Sequence, residues 1–592
     1  MNTKAPPAVL THEVDFCVVG GGMAGVTAAL AAARRGATVA LMQDRPVLGG
    51  NASSECRVHI CGADRHNHVV NMRETGILEG LRLENLYRNP NRVYSLWDTV
   101  LYEACRYQPN LTLLLNCTCL DAEVDGGRIV RVRGRQLTTE TDHVVRARIF
   151  ADCSGDGVLA PRTGAAFRIG REARGEYGEP SAPERADRKT MGMSICFGAR
   201  RYDTPQPFVP PRWAYTFETC EEIPYGAGGH RYLGHGYWWV ELGGEQDSIH
   251  DAEAIKDELL RICYGVWDHV KNRCAAHSAA ATNWALEWMQ FLPAKRESRR
   301  YVGAHVLTQN DILAEGRFDD LVAYGGWAMD DHPPVGFWGP KRGSERPSAV
   351  FNKAPSPYGI PYRSLYAEQP ANLMFAGRCH SATHMAMSST RVMGTGCSMG
   401  QAVGTAAAMA IERGIDPPGM MAHVDELQQA LLWDDCYLPW VPQRFGPRTT
   451  AARLEASAGD PAPLHDGTNR PVGDDSHAWR HRPGDWVAMR FGGPEAVEQV
   501  TLLLDSALHK DPQMSHFHPP EAHLNAPPEE LPRRFVVDVL SGGQWQTLHE
   551  AADSHQRLVR VPVGRPVEAV RYALRETWGP CEGTNLYAFY VD

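Results

Sequence analysis

No apolar run in this 592-residue chain approaches the roughly 18 residues that cross a bilayer. The stretch from Val14 to Leu41 is interrupted by Gly20-Gly21-Gly22 and by Arg34-Arg35, so it reads as strand, turn, helix and strand. Met1 to Leu10 has two prolines and no apolar h-region, which predicts no secretory signal. Basic charge is in deficit. With 60 Lys and Arg against 70 Asp and Glu, the net charge of −10 argues against nucleic acid or an anionic membrane as a partner. The 15 cysteines include no CxxC pair and the 24 histidines no HExxH. Reduced thiols in a cytoplasmic protein are therefore expected, with no structural zinc and no other metal site. Internal repeats and coiled-coil heptads are also lacking, and no second GxGxxG sits in a strand–helix–strand context.

What is present begins with Gly20-x-Gly22-x-x-Gly25. A buried strand, Val14 to Val19, precedes it. An Ala-rich helix, Val26 to Arg35, and a second strand, Thr38 to Met42, follow. This is the context the dinucleotide-binding fingerprint requires. Gly20 permits the tight turn, Gly22 lets the backbone approach a pyrophosphate, and Gly25 lets helix pack on strand. Met23 and Ala24 open the helix, whose free N–H groups and positive dipole end face the phosphates. The position that closes the second strand, where an acid usually holds a ribose, is Gln43. Asp44 is the competing ribose ligand.

Three further segments are rich in small residues. Leu48 to Glu55 contains Gly50, Asn51 and Ser53, which allow close backbone approach. Ala151 to Gly157 ends a strand in Cys153, Ser154, Gly155 and Asp156. Asn372 to Ala407 runs from a buried strand through Gly377 and Arg378 to a helix opening at Gly394-Thr395-Gly396. The N-terminus of that helix is suited to stabilising negative charge.

From Phe167 to about Asp330 the strand–helix rhythm is lost, and aromatic runs such as Tyr237-Trp238-Trp239-Val240 read as strands. Residues 443–484 are rich in Pro, Gly, Asp and Arg and read as linker. Beyond them Phe535, Val537 and Val539 alternate, as do Val570, Tyr572 and Leu574, which predicts an all-β sandwich.

Taken together, LMQDRPVLGGNASSE, ADCSGDGVLA, KRESRR, YGGWAMDDHPP, YGIPYRSL and AGRCHSATHMAMSSTRVMGTG resemble the FAD-dependent oxidoreductase family. Its flavin fold is shared with the fumarate reductase and succinate dehydrogenase flavoproteins. The resemblance covers most of residues 12–440 and is to enzymes of bacterial type. The C-terminal segment resembles galactose-binding-like, discoidin-type modules. The resemblance implies an α/β fold with a two-dinucleotide-binding, Rossmann-like FAD domain. An inserted α+β substrate domain and a C-terminal sandwich complete it. The expected divisions are 12–166 and 341–442 for the FAD domain, 167–340 for the insertion, 443–484 for the linker and 485–592 for the sandwich. It also implies FAD held by Gly20, Gly22, Met23, Ala24, Gly25, Gln43, Asp44, Gly50, Asn51, Ser53, Cys153, Gly155, Asp156, Gly377, Arg378 and Gly396. Arg378 stands where many related flavoproteins place an acid on the ribityl chain.

The expected activity is oxidation of a hydroxyl on a sugar, glycoside or other polar small molecule by hydride transfer to flavin N5. A base must take the hydroxyl proton, and a neutral imidazole does so near pH 7. His384 is the first choice, because Met385 and Met387 flank it with apolar surface. His380 follows, and then His59 or His332, with Arg391 to hold an oxygen or carboxylate. The alternative activity is reduction of an activated C=C bond, with Arg363 and Arg391 as a carboxylate clamp. The surroundings of His59 do not match a covalent flavin site. Cys56 and Cys61 read as structural thiols. The sequence names no electron acceptor and leaves open a homo-oligomer.

Overall fold

The computed structural model describes residues 8–339, 350–515 and 523–592. The expected division at 340/341 and most of Met1–Leu10 lie outside the described residues. Strand β1 (Ala8–Val19), helix α1 (Met23–Arg34) and strand β2 (Val39–Met42) follow the order read from the sequence. After them come β3 (Leu111–Leu114), β4 (Cys117–Asp125), β5 (Arg128–Gln136) and β6 (Thr141–Asp152). β1 lies between β2 and β6, parallel to both, and β3 pairs in parallel with β2. The returning strand Leu373–Phe375 is parallel to β6, so segments more than 200 residues apart complete one sheet. β4 and β5 extend it as an antiparallel hairpin from β6.

Helix α1 is buried on all sides but its last turn, as a helix made almost wholly of small and apolar residues requires. It packs along the long helix Met393–Arg413 through small residues. A Cβ on Gly400 would lie 2.1 Å from the Ala24 carbonyl oxygen, and one on Gly404 2.1 Å from that of Ala28. The Thr27 hydroxyl donates to the Cys397 carbonyl at 2.9 Å across the same contact. The alanine-rich α1 and the glycine-bearing helix Met393–Arg413 therefore approach as closely as their backbones allow.

The insertion is α+β, as expected. Met193–Ser194, Glu241–Leu242 and Ala294–Lys295 make a small sheet, and Phe197–Arg201 pairs with Trp284–Met289. The amphipathic helix Ala252–Asp268 covers a core of its own that includes Phe197, Tyr237, Leu259, Val266 and Trp267. Two readings need correction here. Tyr237–Val240 is a turn, with Tyr237 stacked on Trp239 at 4.8 Å. Ring stacking rather than strand pairing uses its aromatics. Leu307, Ile312 and Leu321 to Ala323, assigned above to the insertion, pack in the core of the FAD-type domain, where Leu321–Gly325 pairs with Tyr358–Pro361.

The C-terminal domain is an all-antiparallel β sandwich built around the long strands Trp486–Leu504 and Leu558–Thr577. Residues 443–484 are not a free linker. Arg453–Ala456 pairs with the first of those strands, Trp479–His481 pairs with Thr584–Val591, and Leu464 and Trp479 enter the sandwich core. The Pro and Gly that suggested a linker are its turns. Among the described residues, no helix is long and apolar enough to cross a membrane.

Candidate active site

At the carboxyl end of β1 the backbone turns at Gly20, whose φ of +103° is open to glycine and strained for other residues. A Cβ there would lie 2.4 Å from Ser154 Cα, so the turn is also wedged against the end of β6. Gly25 is closed in the same way, its would-be Cβ 1.8 Å from the Gly20 carbonyl oxygen. Gly22 differs. Its φ of −64° and ψ of 175° suit any residue, and a Cβ would meet nothing closer than the Cys153 carbonyl at 3.9 Å. What a side chain at Gly22 would fill is a cavity of about 950 Å³. That size falls at the top of the roughly 300–1,000 Å³ range of cofactor and ligand sites.

Gly20, Gly22, Met23, Ala24, Gln43, Asp44, Gly50, Asn51, Cys153, Gly155, Asp156, Gly377, Arg378 and Gly396 all line this cavity. The N-termini of α1 and of helix Met393–Arg413 both open on it. Bare backbone at Gly22 and a helix N-terminus beside it are the donor set that a pyrophosphate requires. Two expected residues stand apart. Gly25 packs helix on strand without reaching the cavity, and Ser53 is buried, its hydroxyl donating to the Gly50 carbonyl at 2.7 Å.

Gln43 lines the cavity but its amide is occupied. Its Oε1 accepts the Gly21 N–H at 2.8 Å and its Nε2 donates to the Val47 carbonyl at 3.2 Å. The exposed Asp44 carboxylate lines the cavity at this end, as does Glu55, with Arg45 4.0 Å from Asp44. Arg378 is tied inward. It donates to Asp156 at 2.8 Å and to Ser298 at 3.0 Å, while Lys295 reaches Asp156 at 2.7 Å. Burial opposes the charge on Asp156, but Arg378 and Lys295 outweigh it and hold the carboxyl well below the usual range.

The other end of the cavity is polar and aromatic. His59, Cys61, His66, Glu241, Arg296, Asp330, His332 and Arg391 line it, walled by Tyr237, Trp238, Trp239 and Trp327. His332 Nδ1 lies 2.6 Å from Glu241, and its Nε2 3.3 Å from Asp330. Asp330 also accepts from Arg391 at 3.1 Å, and Arg296 lies 3.4 Å from Glu241. Burial works against both carboxylates. Arg296 and His332 nonetheless hold Glu241 ionised, and His332 and Arg391 do the same for Asp330.

The first two choices for the base fall outside this cavity. His384 is buried between two carboxylates, Nδ1 at 2.8 Å from Glu297 and Nε2 at 3.0 Å from Asp331. Burial alone would lower its pKa, but the Glu297 and Asp331 charges raise it to about 10. It is an imidazolium at neutral pH and has no lone pair to offer. His380 is fully buried, with Nδ1 2.8 Å from the Gly377 carbonyl. Burial lowers its pKa to about 4, so it is neutral, yet it faces packed protein. His59 and Arg391 do line the cavity. Arg363 does not. It is bound to Asp320 at 3.0 and 3.1 Å away from the cavity, so it makes no clamp with Arg391. Sequence reading overlooked Arg296, Glu241 and Trp327. The KRESRR run was the signal for Arg296, whereas Glu241 belongs to a two-residue strand with no pattern to mark it.

Residues 15–431 match the family model described as FAD dependent oxidoreductase. The chain belongs to that family. Its cofactor is FAD, and it is an FAD-dependent oxidoreductase. Among solved structures, the chain is similar to a geranylgeranyl bacteriochlorophyll reductase-like protein from Thermoplasma acidophilum. The two are 13% identical over 72% of this chain and 86% of that one, with a TM-score of 0.32. It is also similar to p-nitrophenol 4-monooxygenase from Pseudomonas putida, 12% identical over 72% and 91%, TM-score 0.33. A family 32 carbohydrate-binding module from Streptococcus pneumoniae EndoD is 12% identical over 24% and 94%, TM-score 0.19. At these TM-scores the likenesses carry no argument about substrate.

Proposed function

We propose that this flavoenzyme oxidises a hydroxyl group of a sugar, glycoside or similar polar small molecule, with His332 as the group that receives the hydroxyl proton. The observation that supports this reading is the His332–Glu241 contact of 2.6 Å at the polar end of the cavity. The Glu241 carboxylate on Nδ1 orients the ring, and the Nε2 contact with Asp330 is the longer of the two at 3.3 Å, the one a substrate hydroxyl would displace to reach the imidazole. The indole faces of Trp238, Trp239 and Trp327 suit the apolar faces of a sugar ring, and Arg391 and Arg296 suit its oxygens. On this reading Gly20, Gly22, Met23 and Ala24 hold the pyrophosphate of FAD, and Asp44 rather than Gln43 takes the ribose. Bound FAD supplies the two-electron acceptor for the carbon-bound hydride.

Reduction of a C=C bond asks for an unpaired arginine clamp on a carboxylate. Here Arg363 is bound to Asp320 away from the cavity, so the expected pair with Arg391 is not formed, which favours the hydroxyl-oxidising reading over it.

The test is anaerobic bleaching of the bound flavin by a panel of sugars, glycosides, polyols and hydroxy acids. A hydroxyl donor should bleach it, and His332→Ala should slow that bleaching by about 10²–10⁴-fold with FAD still bound. Bleaching at the wild-type rate in His332→Ala moves the base to His59. If no hydroxyl compound bleaches the flavin while enoates reoxidise the reduced enzyme, the C=C reading replaces this one.

A further inference from the structure

The inserted domain gathers four side chains that no reading of the cavity uses. Cys220 opens the single turn Cys220–Glu222, which is held by a capping box between Thr219 and Glu222. His230 follows the short turn Gly226–Gly229. His269 starts the π-helical turn His269–Arg273 that ends helix Ala252–Asp268, and Cys274 comes directly after it. A π-turn there swings the chain so that the Cys274 N–H reaches the His269 carbonyl at 2.7 Å. This brings both side chains to one side of the helix end. His230, His269 and Cys274 are fully buried, in a domain core otherwise made of aromatic and aliphatic groups.

The donor atoms converge. Cys220 Sγ lies 3.6 Å from Cys274 Sγ, 3.5 Å from His230 Nε2 and 3.5 Å from His269 Nε2. His230 Nε2 lies 3.3 Å from Cys274 Sγ, and all four atoms fall within 4.8 Å of one another. Zinc–sulfur bonds of about 2.3 Å and zinc–nitrogen bonds of about 2.0–2.1 Å, set at tetrahedral angles, place sulfurs about 3.8 Å apart and sulfur and nitrogen about 3.6 Å apart. The measured edges are within a few tenths of an ångström of that tetrahedron. His269 Nδ1 is 2.9 Å from the Phe217 carbonyl, the outer contact that leaves Nε2 unprotonated and aimed at the cluster.

We propose that Cys220, His230, His269 and Cys274 bind a structural zinc ion in the inserted domain. Two thiolates and two neutral imidazoles around a dication make a neutral unit, which a buried site accommodates without a net charge. All four positions are filled by protein, so the site is closed and structural, not catalytic. The consequence reaches the cavity. The chain between Cys220 and His269 supplies Tyr225, Tyr232, Tyr237, Trp238 and Trp239 to the cavity wall, and the metal anchors both ends of it. The sequence argued against zinc because no two ligands make a CxxC pair. Here the pairing is made by tertiary folding across more than 50 residues.

The test is metal analysis of the full-length, FAD-loaded protein purified without chelator. One zinc per chain is expected. Protein rebuilt with cobalt(II) should show thiolate-to-cobalt charge-transfer absorption and the visible bands of a tetrahedral site. Cys220→Ser and Cys274→Ser should each lose the zinc, whereas Cys61→Ser, at the His59–Cys61–His66 group in the cavity, should keep it. Wild-type protein that holds no zinc and takes up no cobalt overturns the proposal whatever the variants do. So does zinc that leaves with Cys61→Ser but stays in Cys220→Ser, or a Cys220–Cys274 disulfide found by peptide mapping.

Discussion

At His384 both ring nitrogens are gripped, by Glu297 at 2.8 Å and by Asp331 at 3.0 Å, and Glu297 is itself shared with the buried Arg300 at 3.1 Å. Such a pair stabilises only while both partners are charged. The folded pKa of about 10 lies above the unfolded value of about 6.5. The stabilisation is therefore fully present below about pH 6.5 and is lost as pH rises through about 10. His384→Gln should cost about 3–5 kcal/mol near pH 6.5, because the buried Glu297 and the half-buried Asp331 lose the cation between them. The gap in melting temperature between wild type and His384→Gln should narrow steadily from pH 6.5 to 10, and flavin reduction should stay near the wild-type rate. A gap that is constant or widens with pH would show that the imidazole is uncharged. The sequence made His384 look like a base because Met385 and Met387 suggested an apolar setting. Its true neighbours stand at 297 and 331, and nothing in the local pattern places two carboxylates against it. The glycines were legible for the opposite reason, since the positive φ of Gly20 and the contact of Gly25 with the Gly20 carbonyl arise within a few residues of chain.

Helices and strands were readable wherever their reason for existing was local. β1, α1 and β2 have the period and the turn chemistry of a dinucleotide-binding unit, and they formed as read. Tyr237–Val240 was misread because an aromatic run is equally at home in a stacked turn. Residues 443–484 were misread because their strands are short and their partners lie about 30 to 100 residues later. The contact of α1 with Met393–Arg413 allows a paired prediction. Gly400→Val puts a Cβ 2.1 Å from the Ala24 carbonyl oxygen, and the helices must part at a cost of about 1–3 kcal/mol or more. That variant should melt earlier and lose flavin as a consequence. Gly22→Val has an allowed backbone and open space around its Cβ, so it should fold with an unchanged circular dichroism spectrum. It should nevertheless be colourless, because the side chain occupies the space the pyrophosphate needs. Full FAD occupancy in Gly22→Val would sink the assignment of this turn to the cofactor.

At the scale of the whole molecule, a sandwich preceded by a segment that reads as linker would be expected to be separable. Buried charges join it to the rest instead. Arg557 of the sandwich binds Asp435 at 2.9 Å, both side chains being at most 2% exposed. Arg470 donates to the carbonyls of Asn71 and Arg73 and to the Thr75 hydroxyl. Arg73 returns the contact to the carbonyls of Ser506, Ala507 and Lys510 while paired with Glu79. Leu83 and Leu86 lie in the sandwich core itself. The segment so clamped includes Glu74, which accepts from the Thr395 hydroxyl at the start of the helix that opens on the cavity. Cutting the chain after Pro442 would strip the Ser506, Ala507 and Lys510 carbonyls from Arg73 and the Arg557 guanidinium from Asp435, and expose an apolar face. Such a fragment should be insoluble or unfolded and carry no FAD. In the full chain, Arg557→Ala should lower stability by about 3–5 kcal/mol through the unpaired Asp435, with flavin retained at low temperature. Thermal unfolding of that variant, followed by both circular dichroism and flavin release, checks the coupling, because the two signals should shift together. A fragment of residues 1–442 that is folded and yellow would show instead that the sandwich is separable.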